Sequence, residues 1–176
     1  MKLEPTELYT KCKTVKEKDY KEVFAYGLAI SQWIKTKKAY AVAANQLGSK
    51  YRLMVAHRRY KKLGLPTDIF INPEFSIGPE AERIIWGESC LSYPGVQFEI
   101  LRWSHVELSY YDPREKEDKK YFLEGLPAII AQHEITHLNG ENEEELSFSV
   151  EVAALMEKKN IKIEEARQII IKEEGK

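Results

Sequence analysis

Two histidines one helical turn apart on an apolar stripe set the hardest constraint on this chain. In LPAIIAQHEITHLNG, Leu126, Ile130, His133 and His137 recur at intervals of four, three and four. On a helix that spacing puts both imidazoles on the face the rest of the stripe would bury. Gly125 and Pro127 open the helix, proline being tolerated in the first turn, and Gly140 is placed to end it. A buried imidazole without a partner is costly. Histidines at i and i+4 can meet one cation, with Glu134 beside the first free to act on a bound water. The competing reading is a surface helix with two incidental histidines, which fits the apolar stripe poorly.

Two protein ligands need a third. The chain downstream of His137 contains no histidine but many glutamates, so two histidines and one glutamate remain possible. Upstream, WGESCLSYPG sets Cys90 between a short strand and a Pro-Gly turn. A thiolate there would complete three ligands and leave one position open, the pattern of a catalytic site. Taken alone, Cys90 reads better as a simple buried thiol.

The remaining sequence limits the setting. With 176 residues the chain fits one domain, and 43% apolar with 31% charged residues is ordinary globular composition. A net charge of −1 gives no global call for DNA or an anionic membrane. The N-terminus turns polar after three residues, and no apolar run reaches the roughly 20 residues that span a bilayer. Two cysteines, Cys12 and Cys90, point to a reducing, cytoplasmic location, with a single pairing left open. We expect no membrane partner and no DNA.

An amphipathic helix is expected over about Lys16 to Lys37. Strand-like segments follow in AYAVAA, YRLMVAH, IFINPEFSI and RIIWG. HVELSYYD and KKYFLEG read as a hairpin with a long loop around DPREKED. Strands followed by a deep helix predict a compact α+β domain, with antiparallel or mixed sheets around the histidine-bearing helix. Residues 1–146 are expected to form this unit. Residues 147–176 are expected to form a helical extension, with helical stretches near Ser149 to Lys158 and Ile163 to Glu173. That extension either packs on the core or reaches a partner.

Taken in order, AYAVAANQ (Ala39 to Gln46), INPE (Asn72 to Glu74 within it), ESCLS (Glu88 to Ser92) and QHEITHL (Gln132 to Leu138) resemble the peptide deformylase family. Its motifs are Gly-x-Gly-x-Ala-Ala-x-Gln, Glu-Gly-Cys-Leu-Ser and Gln-His-Glu-x-Asp-His-Leu. The resemblance runs to about Gly140 and implies removal of the formyl group from N-terminal formylmethionine of nascent polypeptides. It further implies one divalent metal on Cys90, His133 and His137. Iron(II) is expected first, with zinc, nickel or cobalt able to take the same ligands. Glu134 would serve as base and then acid beside a metal-activated water. The Gln46 side chain and the Leu91 N–H would stabilise the developing oxyanion. Val42, Ala43 and Ala44 would belong to the strand along which the peptide substrate extends by backbone hydrogen bonds, and that strand with Ile129 and Ile130 would line the methionine pocket, although core packing explains those isoleucines equally well.

The departures are specific. Ala39 and Ala41 replace both glycines of the first motif, Ser89 the glycine before Cys90, and Thr136 the aspartate of the helix motif. Asn45 stands where many members have proline. None removes a ligand, Glu134 or Gln46, so the chemistry is expected to survive with altered efficiency. His57 lies in the basic run HRRYKK, expected as a solvated loop, with a contact to ribosomal RNA as the alternative. Arg102 reads as a support for the site or as a surface ion pair, His105 as structural, and Cys12 as inert. Two rivals remain: an amidase or protease of other specificity using a downstream glutamate, and a non-catalytic protein that binds formylated N-termini.

Overall fold

The computed structural model describes residues 8–141 and, beyond them, Leu155, Lys158, Lys159, Glu165, Gln168, Ile169 and Lys172, all in helical conformation. The expected extension over 147–176 otherwise lies outside the described residues.

A helix, α1 (Tyr20–Ile34), buries Val23, Gly27, Ile30, Ser31 and Ile34 along one stripe. It is shorter than expected at both ends, and at its N-terminal end Glu17–Asp19 form a 3-10 turn instead. Gly27 lets the helix approach the sheet closely: an added Cβ would lie 3.0 Å from Ile69 Cγ2. Seven strands follow: β1 (Ala41–Ala43), β2 (Leu53–Ala56), β3 (Ile69–Ile77), β4 (Arg83–Ser89), β5 (Gln97–Trp103), β6 (His105–Asp112) and β7 (Glu117–Glu124). The last element is α2 (Leu126–Leu138).

β1-β2-β3-β6-β7 form one sheet, and β4-β5 a separate ribbon. Every strand pairing is antiparallel. The sheet is covered on both sides. Leu53, Val55, Ile69 and Ile71 pack with Val23, Ile30 and Ile34 of α1. Met54, Ala56 and Phe70 pack with Ile130, Ala131 and Ile135 of α2. That explains why LMVA reads as a continuous apolar run: alternate residues serve opposite layers, and both are dry.

α2 departs from the expected stripe, since every residue from Ala128 to Leu138 is buried. The β4-β5 ribbon covers the helix on the side away from the sheet: Gln132 Oε1 accepts from Trp103 N and its Nε2 donates to Trp103 O, both at 2.8 Å. The terminal carbonyls of a helix need donors. Here Cys12 N and Arg52 Nη1 donate to Leu138 O, and Asn45 Nδ2 donates to His137 O at 2.6 Å. Asn45, a departure from the family pattern, thus satisfies the carbonyl of an expected ligand. Gly140 follows at φ +77 and passes close to the Tyr9–Lys11 backbone.

Two expectations are corrected. QFEILRW, unassigned in the sequence reading, is β5; its inward positions are Phe98, Ile100 and Arg102, and the inward arginine hid the alternation. The β6-β7 connection is a tight turn, not a long loop, with register from His105↔Glu124 to Asp112↔Glu117. Asp112 closes it by accepting from Arg114 N and Lys116 N.

Candidate metal centre

Cys90, His133 and His137 converge from two elements. The histidines come from α2, and the cysteine follows the end of β4 where that ribbon crosses the helix. Among the described residues these three form a buried cluster whose ligand atoms all lie within 4.8 Å of one another. Cys90 Sγ is 3.2 Å from His137 Nε2. Bonds of about 2.1 Å and 2.3 Å at a tetrahedral angle would place such atoms about 3.6 Å apart. The imidazole rings stand nearly perpendicular, 4.9 Å between centroids. The donor set and its spacing fit a single divalent cation, and the two-histidine, one-thiolate reading is the one the geometry assembles.

The surroundings prepare the ligands. Glu88 accepts from Arg102 Nε at 2.7 Å and Nη2 at 2.9 Å, and its Oε2 lies 2.5 Å from His133 Nδ1. Burial alone would raise the Glu88 pKa, but hydrogen bonds from Arg102 and His133 outweigh it and hold the carboxyl down at about 2. An ionised Glu88 makes His133 Nδ1 the donor and leaves Nε2 for a cation. His137 has its pKa lowered well below the ordinary histidine value, by burial first, then by His133 and Arg102. A neutral imidazole is the form that ligates metal.

Arg102 is the main residue whose role the sequence left open, and Thr136 the departure it could not explain. Arg102 is buried and donates from Nη1 to Thr136 Oγ1 at 2.8 Å. Thr136 Oγ1 in turn donates to Gln132 O at 2.8 Å. The buried pair of Glu88 and Arg102 is already balanced in charge, so a hydroxyl is enough at 136 to complete the guanidinium's hydrogen bonds. Glu88 itself was visible as part of ESCLS but carried no assigned role. Replacing Arg102 by methionine strands the Glu88 carboxylate in the interior. Breaking a buried pair this way costs about 3–5 kcal/mol. The expected result is a large drop in thermal midpoint, whereas Lys120→Met, which breaks an exposed pair with Glu107, should change it little.

Gln46 sits in a 3-10 turn, Ala44–Leu47, directly after β1. Its Oε1 accepts from Ala43 N at 2.9 Å. Its Nε2 donates to Ser92 Oγ at 3.0 Å and lies 3.4 Å from Cys90 Sγ. The glutamine amide is therefore held against the cysteine of the metal cluster. Ser92 N also points at Cys90 Sγ, at 3.4 Å.

These groups open onto a cleft of about 1040 Å³. Ile129, Ile130, His133 and Glu134 of α2 form one wall, and Glu88 to Leu91 another. Ala39, Tyr40, Ala41 and Gln46 line it on the β1 side, with Trp33, Lys37 and Lys38 at the outer end. Of the expected substrate residues, Ile129 and Ile130 face this space. Val42, Ala43 and Ala44 are fully buried and are absent from the lining. The two alanines that replace the motif glycines, Ala39 and Ala41, do line it. β1 is an edge strand of its sheet, so contact through main-chain groups remains open to it. Of the other histidines and cysteine, His105 Nε2 donates to Pro79 O while its Nδ1 pairs with Ser104 Oγ, Cys12 is buried in the core, and His57 lies on a loop.

Comparison with known proteins agrees with this geometry. The chain is 41% identical over 105 residues to a peptide deformylase of Prochlorococcus marinus strain NATL2A, covering 60% of this chain and 51% of that protein. It is 37% identical over 100 residues to one from Aquifex aeolicus, covering 56% and 57%. The matches thus span about half the length of these curated relatives. Among solved structures, peptide deformylase from Thermotoga maritima superposes with a TM-score of 0.68 at 29% identity, over 80% of this chain and 90% of that one. A probable peptide deformylase from Synechococcus phage S-SSM7 gives 0.68 at 26% identity, over 80% and 93%. The sequence profile of polypeptide deformylases matches residues 1–142, the whole stretch that builds the cleft and its three converging ligands, and the chain belongs to that family.

Proposed function

We propose that this chain is a metal-dependent hydrolase that removes the formyl group from the N-terminal formylmethionine of nascent polypeptides. The observation that carries this is the convergence of Cys90, His133 and His137 in a cleft that Glu134 and Gln46 also line. A divalent cation held by those ligands, iron(II) first and zinc, nickel or cobalt as substitutes, would supply a Lewis acid and an acidified water.

The chain's own residues do the rest. Glu134, buried beside His133, would take a proton from the attacking water and return it to the departing amine. The Gln46 amide and the Leu91 N–H would receive the charge that develops on the formyl oxygen. Ile129 and Ile130 offer apolar surface for the methionine side chain. The substrate backbone would run along the free edge of β1, so Val42, Ala43 and Ala44 would act through main-chain groups and not side chains. The catalytic unit would end near residue 146. The enzyme would work in the cytoplasm, where chains emerge from the ribosome.

Formate release from a formyl-methionyl tripeptide by anaerobically iron-loaded protein tests the reading, with the acetylated peptide as control. A filled metal site without turnover would overturn it and favour a binding role. Gln46→Glu keeps an acceptor for Ala43 N but removes the donor. Its kcat should fall by about 10²–10³ with KM little changed.

A further inference from the structure

The basic run HRRYKK does not stand alone in the folded chain. His57 N donates to Tyr40 O at 2.7 Å, which joins the loop after β2 to the loop after α1. That contact brings Arg58 and Arg59, which follow His57, alongside the loop that carries Lys35, Lys37 and Lys38. Lys37 on that loop rests its Nζ 4.9 Å over the Trp33 ring. Lys61 and Lys62 follow on the 3-10 turn Tyr60–Leu63. Lys35, Lys37, Lys38, Arg58, Arg59, Lys61 and Lys62 are all exposed, and among the described residues none is paired with a carboxylate. In a chain with 27 basic and 28 acidic residues this is a local excess, not a reflection of overall charge. Tyr40, 55% exposed, lines the cleft together with Lys37 and Lys38.

We propose that this rim beside the cleft mouth binds single-stranded RNA, the lysines and arginines taking phosphates and Tyr40 offering a face on which a base can stack. The pairing of a cationic track with an exposed aromatic is what a single strand with unstacked bases requires. An acidic stretch of the peptide substrate is the competing occupant. It is disfavoured because only Lys37 and Lys38 line the cleft, while Lys35, Arg58, Arg59, Lys61 and Lys62 lie outside it, where a substrate peptide has no reason to run. The inference stands on charge placement and does not depend on the deformylation reading.

The test is fluorescence anisotropy with the full chain and a labelled single-stranded RNA of about 20 nucleotides, titrated at about 50 and 200 mM KCl. Contact with about four phosphates predicts a slope near −3 in log affinity against log salt, a loss of about 50-fold across that range. Arg58→Glu with Arg59→Glu should weaken binding at least about tenfold at the lower salt. Formyl-peptide turnover by that variant should equal the parent's. Binding that is absent, independent of salt or indifferent to the charge reversal overturns the proposal. DNA of the same sequence binding as tightly or more tightly overturns the assignment to RNA. Binding of hexaglutamate in place of RNA, lost on Lys37→Glu with Lys38→Glu, hands the surface to acidic peptides.

Discussion

Replacing Glu134 by glutamine should lower formate release from a formyl-methionyl peptide by about 10²–10⁴-fold, the range general acid–base catalysis supplies. Metal content and thermal midpoint should stay close to those of the parent. The reasoning turns on what the substitution spares. Glutamine has the shape of glutamate, and Glu134 is buried on a helix that packs on the sheet through Ile130, Ala131 and Ile135. It is not one of the three converging ligands. What is lost is one basic oxygen on the cleft wall beside His133. A fall in kcat with nearly constant KM would place Glu134 in the transition state alone. Retention of more than a tenth of parental turnover would remove it from the proton-transfer role. Loss of metal along with activity would instead make it part of the support for the ligands.

The site was more legible in the sequence than the scaffold that holds it. HExxH fixes its own geometry, because i and i+4 share a helix face whatever surrounds it, and ESCLS brought Cys90 into view through its motif. β3 could be read to the residue because IFINPEFSI is bounded by turn residues and rich in β-branched side chains. β5 escaped because Arg102 occupies an inward position, and an inward arginine reads as a break in alternation. The same residue explains Thr136. No local pattern announces that a charge on one strand will need a hydroxyl on a helix 34 residues later. The basic rim escaped for a similar reason: HRRYKK alone is a solvated loop, and only the contact between Tyr40 and His57 adds the lysines after α1 to it.

Replacing Cys90 by alanine should abolish stoichiometric metal binding. Loss of a hydrogen-bonding partner behind a ligand costs about 10–100-fold in affinity, and loss of a ligand itself should exceed that. Metal analysis after dialysis reads this directly, without any assay of turnover. Two imidazoles from one helix turn would remain, and those alone leave a divalent cation mostly to water. Among the described residues no carboxylate joins the cluster. The nearest acidic side chain to a ligand, Glu88, is committed to Arg102 and His133. The fold should survive, because Cys90 is a small side chain just after β4 whose polar contacts, to His137 Nε2 at 3.2 Å and to Gln46 and Ser92 at 3.4 Å, all lie within the site. Unfolding of the metal-free parent and variant should therefore coincide within about 1–2 kcal/mol, a small buried side chain being all that is removed. Cys90→Ser probes the chemistry further: it keeps the size of the side chain but offers an alcohol that ionises far less readily than a thiol, so metal should again be lost. Full metal content in both variants would mean that a glutamate beyond Gly140 closes the site. The chemistry would then be that of a two-histidine, one-carboxylate amidase.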